Sequence, residues 1–220
     1  MEKAFCPRLS LFSAKKGERA AEINRILKLL YPHAECALNF RGDPFRLLVM
    51  ARLSAQCTDQ RVNEVSEKLF VLFPDVYAFA EADLSRLEEA VRPCGLFRTK
   101  AHQIREMSRV LLSEHGGKVP AEKDALLKLP GVGEKIANLM MGDVFGDPQI
   151  VADTHCIRLA ARFRLTDSQN PRIVTRDLEK IIPKEDQSDF CHRIILLGRE
   201  YCKAQRPLCD RCPLKKRPTE

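Results

Sequence analysis

The stretch with the clearest chemical content is Leu129-Pro130-Gly131-Val132-Gly133-Glu134-Lys135-Ile136-Ala137. Two glycines flanking one apolar residue permit a hairpin with positive φ and no side-chain bulk. A short helix over 121–128 is expected before it and another helix after it. The second helix then offers unpaired backbone N–H groups at its N-terminus, which can hold a phosphate without any basic side chain. The stretch is not a nucleotide P-loop, because G-x-x-x-x-G-K-[ST] is absent, nor a dinucleotide fingerprint, because no strand precedes it. An ordinary corner between helices would use the same residues, and on this stretch alone both readings stay open. Lys135 falls in the first turn of the second helix, where the helix dipole disfavours its charge. That suits a nucleophile, since only the neutral amine attacks carbon. A plain surface lysine is the competing reading. Asp153, in Val151-Ala152-Asp153-Thr154-His155, follows eighteen residues later and could merely cap the next helix. Neither residue is specific alone; the hairpin, the lysine and the aspartate together are.

Nine cysteines in 220 residues are too few for a disulfide scaffold in a chain of this length. An odd count without an export signal points to a reducing cytosol. Cys36, Cys94, Cys156 and Cys191 sit beside apolar residues and read as small apolar fillers. The trio Cys202, Cys209 and Cys212 does not.

The elements that must position these residues are helical nearly everywhere. Ile23, Ile26, Leu27 and Leu30 follow the spacing of one helix face. Asp43-Pro44 reads as an N-cap followed by proline at the first helical position, with Phe45, Leu48, Val49 and Leu53 as the apolar stripe. Asp59 can cap the next helix, and Asp83 starts another. Ile104, Met107 and Leu111 mark a further one, ended by Gly116-Gly117. Gly142 weakens the helix that carries Ile136 and Met140. Ile157, Ala160 and Ala161 suit a close-packed helix. Ile173, Leu178, Ile181 and Ile182 form a short helix stopped by Pro183, and Phe190, Ile194 and Leu197 lead into Gly198. Alternating strand patterns are scarce, and 148–152 reads as a connection. The pattern predicts an all-α protein of many short helices. At 45% hydrophobic and 30% charged residues the composition is that of an ordinary globular chain, which excludes wholesale disorder. No apolar run reaches the roughly 20 residues of a membrane span. The net charge of +7 hints at a polyanionic partner, and Arg193–Glu220 alone holds a net +5. A solvated basic tail and a phosphate-facing surface are the two readings of that segment.

The hairpin L-P-G-V-G-E-K followed by V-A-D-T-H resembles the helix-hairpin-helix DNA glycosylases, and more narrowly the endonuclease III family. Leu53-Ser54-Ala55-Gln56-Cys57-Thr58-Asp59, Gly95-Leu96-Phe97-Arg98-Thr99-Lys100-Ala101 and Leu197-Gly198-Arg199-Glu200-Tyr201-Cys202 agree with it. The resemblance runs from about Glu18 to Cys212. It implies a two-lobed helical fold: a six-helix lobe near 37–148, and a second lobe made of 1–36 with 149–220. Damaged double-stranded DNA would bind a monomer across the cleft between the lobes, in the cytoplasm or, in a bacterium, with the nucleoid. The implied activity is base-excision repair. An oxidised pyrimidine is flipped from the duplex at a cost of a few kcal/mol. Lys135 attacks the sugar, and β-elimination cuts the abasic strand. Asp153 would stabilise the cationic sugar and help accept the lysine proton.

Further roles carry over by the same resemblance. Gly131, Val132 and Gly133 would face the DNA backbone. Gln56 would fill the gap left by the flipped nucleotide. Leu96 would wedge into the stack, against the rival reading of a buried core leucine. His155 would sit near the aspartate and the DNA, against the rival reading of a hydrogen-bonded helix histidine. Asp59 reads as a cap. Relatives hold a [4Fe–4S] cluster with C-x₆-C-x₂-C-x₅-C. Here Cys202-x₆-Cys209-x₂-Cys212 matches, but the fourth position falls on Pro218. A three-cysteine cluster with a substitute fourth ligand such as Cys6 or water is the expectation. Weak metal binding and a metal-free relic loop are its alternatives. Two other functions compete: a monofunctional mismatch adenine glycosylase, which lacks the lysine, and a non-catalytic helix-hairpin-helix DNA-binding protein, which needs neither lysine nor aspartate.

Overall fold

The computed structural model describes Cys6 and residues 12–215. Pro218 lies outside the described residues, as do Lys216, Arg217 and Glu220 of the basic tail. Among the described residues there are eleven α-helices and no strand, the all-α architecture that the periodicity predicts. None of these helices is long and apolar enough to cross a membrane. The chain divides into two compact units, Cys36–Asp147 and the combination of Met1–Glu35 with Pro148–Glu220.

The continuous unit holds α2 (Pro44–Leu53), α3 (Asp59–Leu72), α4 (Val76–Ala80), α5 (Leu84–Val91), α6 (Phe97–His115), α7 (Lys123–Lys128) and α8 (Glu134–Asp143). Short acidic caps start several of them. Asp43 Oδ1 accepts from the N–H groups of Phe45 at 2.9 Å and Arg46 at 3.2 Å, with Pro44 at the first position. Asp75 and Asp83 do the same for Ala78 and Arg86, each at 2.9 Å. Such a cap is worth about 1 kcal/mol. Thr58, not Asp59, caps α3: its hydroxyl accepts from Arg61 N–H, and Asp59 is already helical. The hydroxyl and the carboxylate are both competent caps, so adjacency in sequence hid which one is used. Helix α4 escapes periodicity because it has five residues, yet it carries Phe79 at the centre of the core. The rings of Phe45, Phe70 and Phe73 lie 5.5, 5.9 and 5.3 Å from it. Helix α7 begins at Lys123, two residues later than expected. Helix α6 ends on Gly116 in the left-handed region, as expected of a glycine terminus.

The discontinuous unit holds α1 (Lys16–Leu30), α9 (Thr154–Arg162), α10 (Pro171–Glu179) and α11 (Gln187–Glu200). Helix α11 packs against α9 and α1 through buried Phe190, Ile194 and Leu197. It runs through Gly198 instead of ending there. A Cβ on Gly198 would lie 2.8 Å from His155 Nδ1 and 3.0 Å from Arg158 Nη2, so this glycine lets α11 approach α9. In α10 the inward residues are Val174 and Leu178; Ile173 is exposed, and Ile181 and Ile182 follow the helix end.

Arg19 joins the N-terminal helix to the rest of this unit. Buried at 6% exposure, its guanidinium donates to the carbonyls of Phe163 (2.9 Å), Arg164 (2.9 Å), Ser13 (2.8 Å) and Ala14 (2.9 Å). Asn24 and Lys28 add contacts to Asp186, at 2.8 and 2.7 Å. Arg19→Met keeps much of the volume but strands those carbonyls. It should lower the unfolding free energy by about 2–3 kcal/mol, read as a lower urea midpoint; an unchanged midpoint would show that apolar packing alone holds α1.

Candidate active site

The hairpin sits between α7 and α8. Leu129 and Val132 are buried, and Val132 N–H donates to Leu129 C=O at 3.1 Å, closing the turn. Gly131 has φ +80, and a Cβ there would lie 2.9 Å from Arg52 Cδ, Arg52 Nε and Gln103 Oε1. Those two side chains are themselves bonded, Arg52 Nε donating to Gln103 Oε1 at 2.6 Å. Burial lowers the pKa of the Arg52 guanidinium. Gly131 is therefore required twice over, for its backbone conformation and for the close approach. Gly133 is not: its φ is −108, and a Cβ on it would meet nothing within 4 Å. As the N-cap of α8 it supplies no side-chain cap. Lys135 stands exposed in this first turn and makes no hydrogen bond or ion pair with a described residue.

Asp153 is the N-cap of α9, as one of its two readings expects. Its Oδ1 accepts from Cys156 N–H at 2.7 Å. Among the described residues Oδ2 takes no hydrogen bond, so capping uses one carboxylate oxygen and leaves the other. His155, in the first turn of the same helix, is half-buried. Arg158 Nη2 lies 3.1 Å from its Nδ1. A guanidinium can only donate, which makes Nδ1 the acceptor and puts the proton of a neutral ring on Nε2.

Gln56 and Leu96 share an unusual backbone. Both are non-glycine residues with positive φ, +54 and +49, and both are exposed. Leu96 is 53% exposed, so it is not a core leucine. Holding such residues in the left-handed region costs on the order of 1–3 kcal/mol each and requires support from the surroundings. Lys100 supplies part of it. It is fully buried, and its Nζ donates to Leu53 C=O and Cys94 C=O, each at 2.8 Å. One ammonium thereby ties the segment before Gln56 to the segment before Leu96. Burial lowers its pKa. No role for Lys100 follows from its residue type. The available signal was its place four residues before Ile104, on the apolar face of α6. Arg92 and Arg98 flank the ring beside Leu96, at 4.7 and 5.4 Å from the Phe97 centroid, and add positive charge there.

Cys202, Cys209 and Cys212 are half-buried in the loop after α11. Arg162 Nη1 reaches Cys202 Sγ at 3.2 Å and Lys203 C=O at 2.7 Å, and its Nη2 reaches Ala204 C=O at 3.0 Å. Burial pushes the Cys212 thiol up to about 11, with Cys6, Cys202 and Cys209 all adding to the rise. Among the described residues no three of His, Cys, Asp or Glu form a group that could hold a metal ion. Three thiols in one loop are nonetheless donors of the type that would hold an iron–sulfur cluster.

The sequence pattern of the HhH-GPD superfamily base excision DNA repair proteins matches residues 49–184. Endonuclease III of Synechocystis is 44% identical over 202 residues, covering 91% of this chain and 92% of that protein. The chain belongs to the endonuclease III family. The Bacillus subtilis endonuclease III is 41% identical over 84% of each chain. A solved non-covalent endonuclease III–DNA complex superposes with a TM-score of 0.87 at 39% identity, covering 92% of this chain and 94% of that one. A trapped endonuclease III–DNA covalent intermediate superposes equally well. A thermostable thymine-DNA glycosylase, 21% identical with a TM-score of 0.79, shares the fold. The chain is thus a base-excision-repair DNA glycosylase and lyase of the endonuclease III family, as the motifs imply.

The two glycines of the hairpin should differ in cost. Gly131→Ala meets both the positive φ and the Arg52–Gln103 pair. It should lose about 1–3 kcal/mol of stability. Gly133→Ala should lose clearly less, since its Cβ enters open space. Thermal unfolding of the two variants checks the difference; equal losses would show that Arg52 and Gln103 yield freely.

Proposed function

We propose that the chain excises oxidised pyrimidines from damaged duplex DNA and cuts the resulting abasic strand by β-elimination, with Lys135 as nucleophile. The observation that carries the reading is the position of Lys135. It is exposed, bound to no described residue, and in the first turn of the helix that the hairpin opens. The N-terminal turn of α8, which takes no side-chain cap from Gly133, is suited to a phosphate, and Gly131, Val132 and Gly133 bring the backbone up to it. The neutral amine of Lys135 attacks C1′ of the flipped nucleotide, and the C1′–N bond breaks with its electron pair leaving on the base. Ring opening gives an imine between Lys135 and C1′. Loss of a C2′ proton then expels the 3′ phosphate, and water hydrolyses the imine. Oδ2 of Asp153 faces the cationic sugar in this scheme and accepts the proton that the lysine releases.

Gln56 and Leu96 are proposed to occupy the space the flipped nucleotide leaves, which their exposed, strained backbones support. Arg92 and Arg98 would meet phosphate beside them, and His155 would contact the DNA near Asp153. Cys202, Cys209 and Cys212 would hold a [4Fe–4S] cluster. Bound, the cluster would cross-link the C-terminal loop through thiolate ligation, and no step of the base chemistry passes through it. A reducing cytoplasm fits nine cysteines of which none is in a disulfide. The enzyme is proposed to act as a monomer.

Lys135→Ala should abolish borohydride trapping on abasic duplex and leave duplex affinity within a few-fold of wild type. A variant that still traps at the wild-type rate would move the nucleophile to another amine. Asp153→Asn retains a capping side chain, so its loss is chemical and not structural. Single-turnover base removal from a thymine glycol duplex should fall by about 10²–10³; wild-type rates at neutral pH would reduce Asp153 to a helix cap.

A further inference from the structure

The C-terminal loop offers three thiolates where a [4Fe–4S] cluster takes four, and the rest of the chain contains a candidate for the fourth. Helix α9 ends at Arg162, and that one residue holds two separate pieces of chain. Its backbone carbonyl accepts from Cys6 N–H at 3.0 Å. Its guanidinium grips the loop, at 3.2 Å from Cys202 Sγ and 2.7 Å from Lys203 C=O. Arg158, one turn earlier, adds a bond to Cys202 C=O at 3.1 Å. The far end of the loop is folded back by Leu208 N–H donating to Tyr201 C=O at 2.8 Å, and Cys212 N–H reaches Cys209 C=O at 3.4 Å. Cys6 is thus anchored at the same helix end as Cys202.

The other cysteines are otherwise placed. Cys36, Cys57 and Cys94 belong to the unit Cys36–Asp147. Cys156 and Cys191 are buried, and their side chains hydrogen-bond to each other. Cys6 alone remains in the discontinuous unit beside the loop. We infer that Cys6 is the fourth ligand, so that one [4Fe–4S] cluster joins the N-terminal segment to the C-terminal loop at the end of α9. The inference rests on the cluster reading given above. Each thiol gives its proton to solvent as its sulfur binds iron, and no change of oxidation state is involved. The guanidinium of Arg162 suits the resulting anionic cluster, since a charge-assisted N–H···S contact stabilises thiolate ligation. The ligand set also accounts for proline at 218: with Cys6 in place, the family's fourth position needs no sulfur.

The test uses the full chain purified without air. Wild type should carry about four irons and four acid-labile sulfides per chain, and its Cys6 should resist alkylation until the iron is chelated. Cys6→Ala should lose about one iron in four and, after mild oxidation, show the electron paramagnetic resonance signal of a three-iron cluster that wild type lacks. Wild type without iron and sulfide would overturn the cluster reading itself. Wild-type iron content and no three-iron signal in Cys6→Ala would overturn the role of Cys6 alone. Should that variant fail to fold, alkylation of wild type decides: a Cys6 that reacts as fast with iron bound as after chelation overturns the inference.

Discussion

The absence of a side chain at Gly131 is the constraint on which the hairpin depends. There the backbone passes so close to Arg52 and Gln103 that a Cβ would overlap both side chains. Because Arg52 and Gln103 lie on α2 and α6, this contact fixes the corner between α7 and α8 to the body of its unit. The corner in turn sets where α8 begins and the turn from which Lys135 stands exposed. The nucleophile proposed at Lys135 needs its reacting atom placed before substrate arrives, and a helix start braced by a close-packed turn suits that. The cost is a short run of residues with almost no freedom to vary.

The other features of the enzyme follow the same logic of support placed away from the reacting groups. Gln56 and Leu96 hold strained conformations that nothing local favours. Lys100 is a buried cation with two carbonyl partners and no carboxylate among its hydrogen bonds, an arrangement that costs desolvation and contributes position. In the second unit Gly198 lets α11 close onto His155 and Arg158. Arg162 then ties the helix end to both the cysteine loop and Cys6. Asp153 caps α9 with one oxygen, and the chemical role proposed for it falls to the other.

Much of this was legible in the sequence because the relevant physics is local. Caps such as Asp43-Pro44, the glycine end of α6 and the hairpin itself are written in adjacent residues. So are the places of Lys135 and Asp153 at the starts of their helices. Where two neighbours could do the same task, as at Thr58 and Asp59, the sequence could not choose. At Gly198 the sequence does not say whether the helix stops or admits a neighbouring helix, since both uses of glycine are the same letter; α11 runs through it. Leu96 was ambiguous because exposure is a property of the folded chain. Lys100 and Arg162 went unassigned for the same reason. Each acts through carbonyls on segments distant in sequence, and no spacing rule reports such contacts. The pairing of Cys6 with the end of α9 spans more than 150 residues and likewise needed the structure.

In the proposed reaction one amine, that of Lys135, forms the covalent link to the sugar. Peptide mapping of the borohydride-reduced enzyme–DNA adduct tests it most directly. After nuclease and protease digestion, the remnant of the reduced sugar should be confined to the peptide that contains Lys135, with fragmentation placing the mass on that side chain. A remnant on any other lysine or on the N-terminal amine would contradict the assignment, and with it the role given to the hairpin.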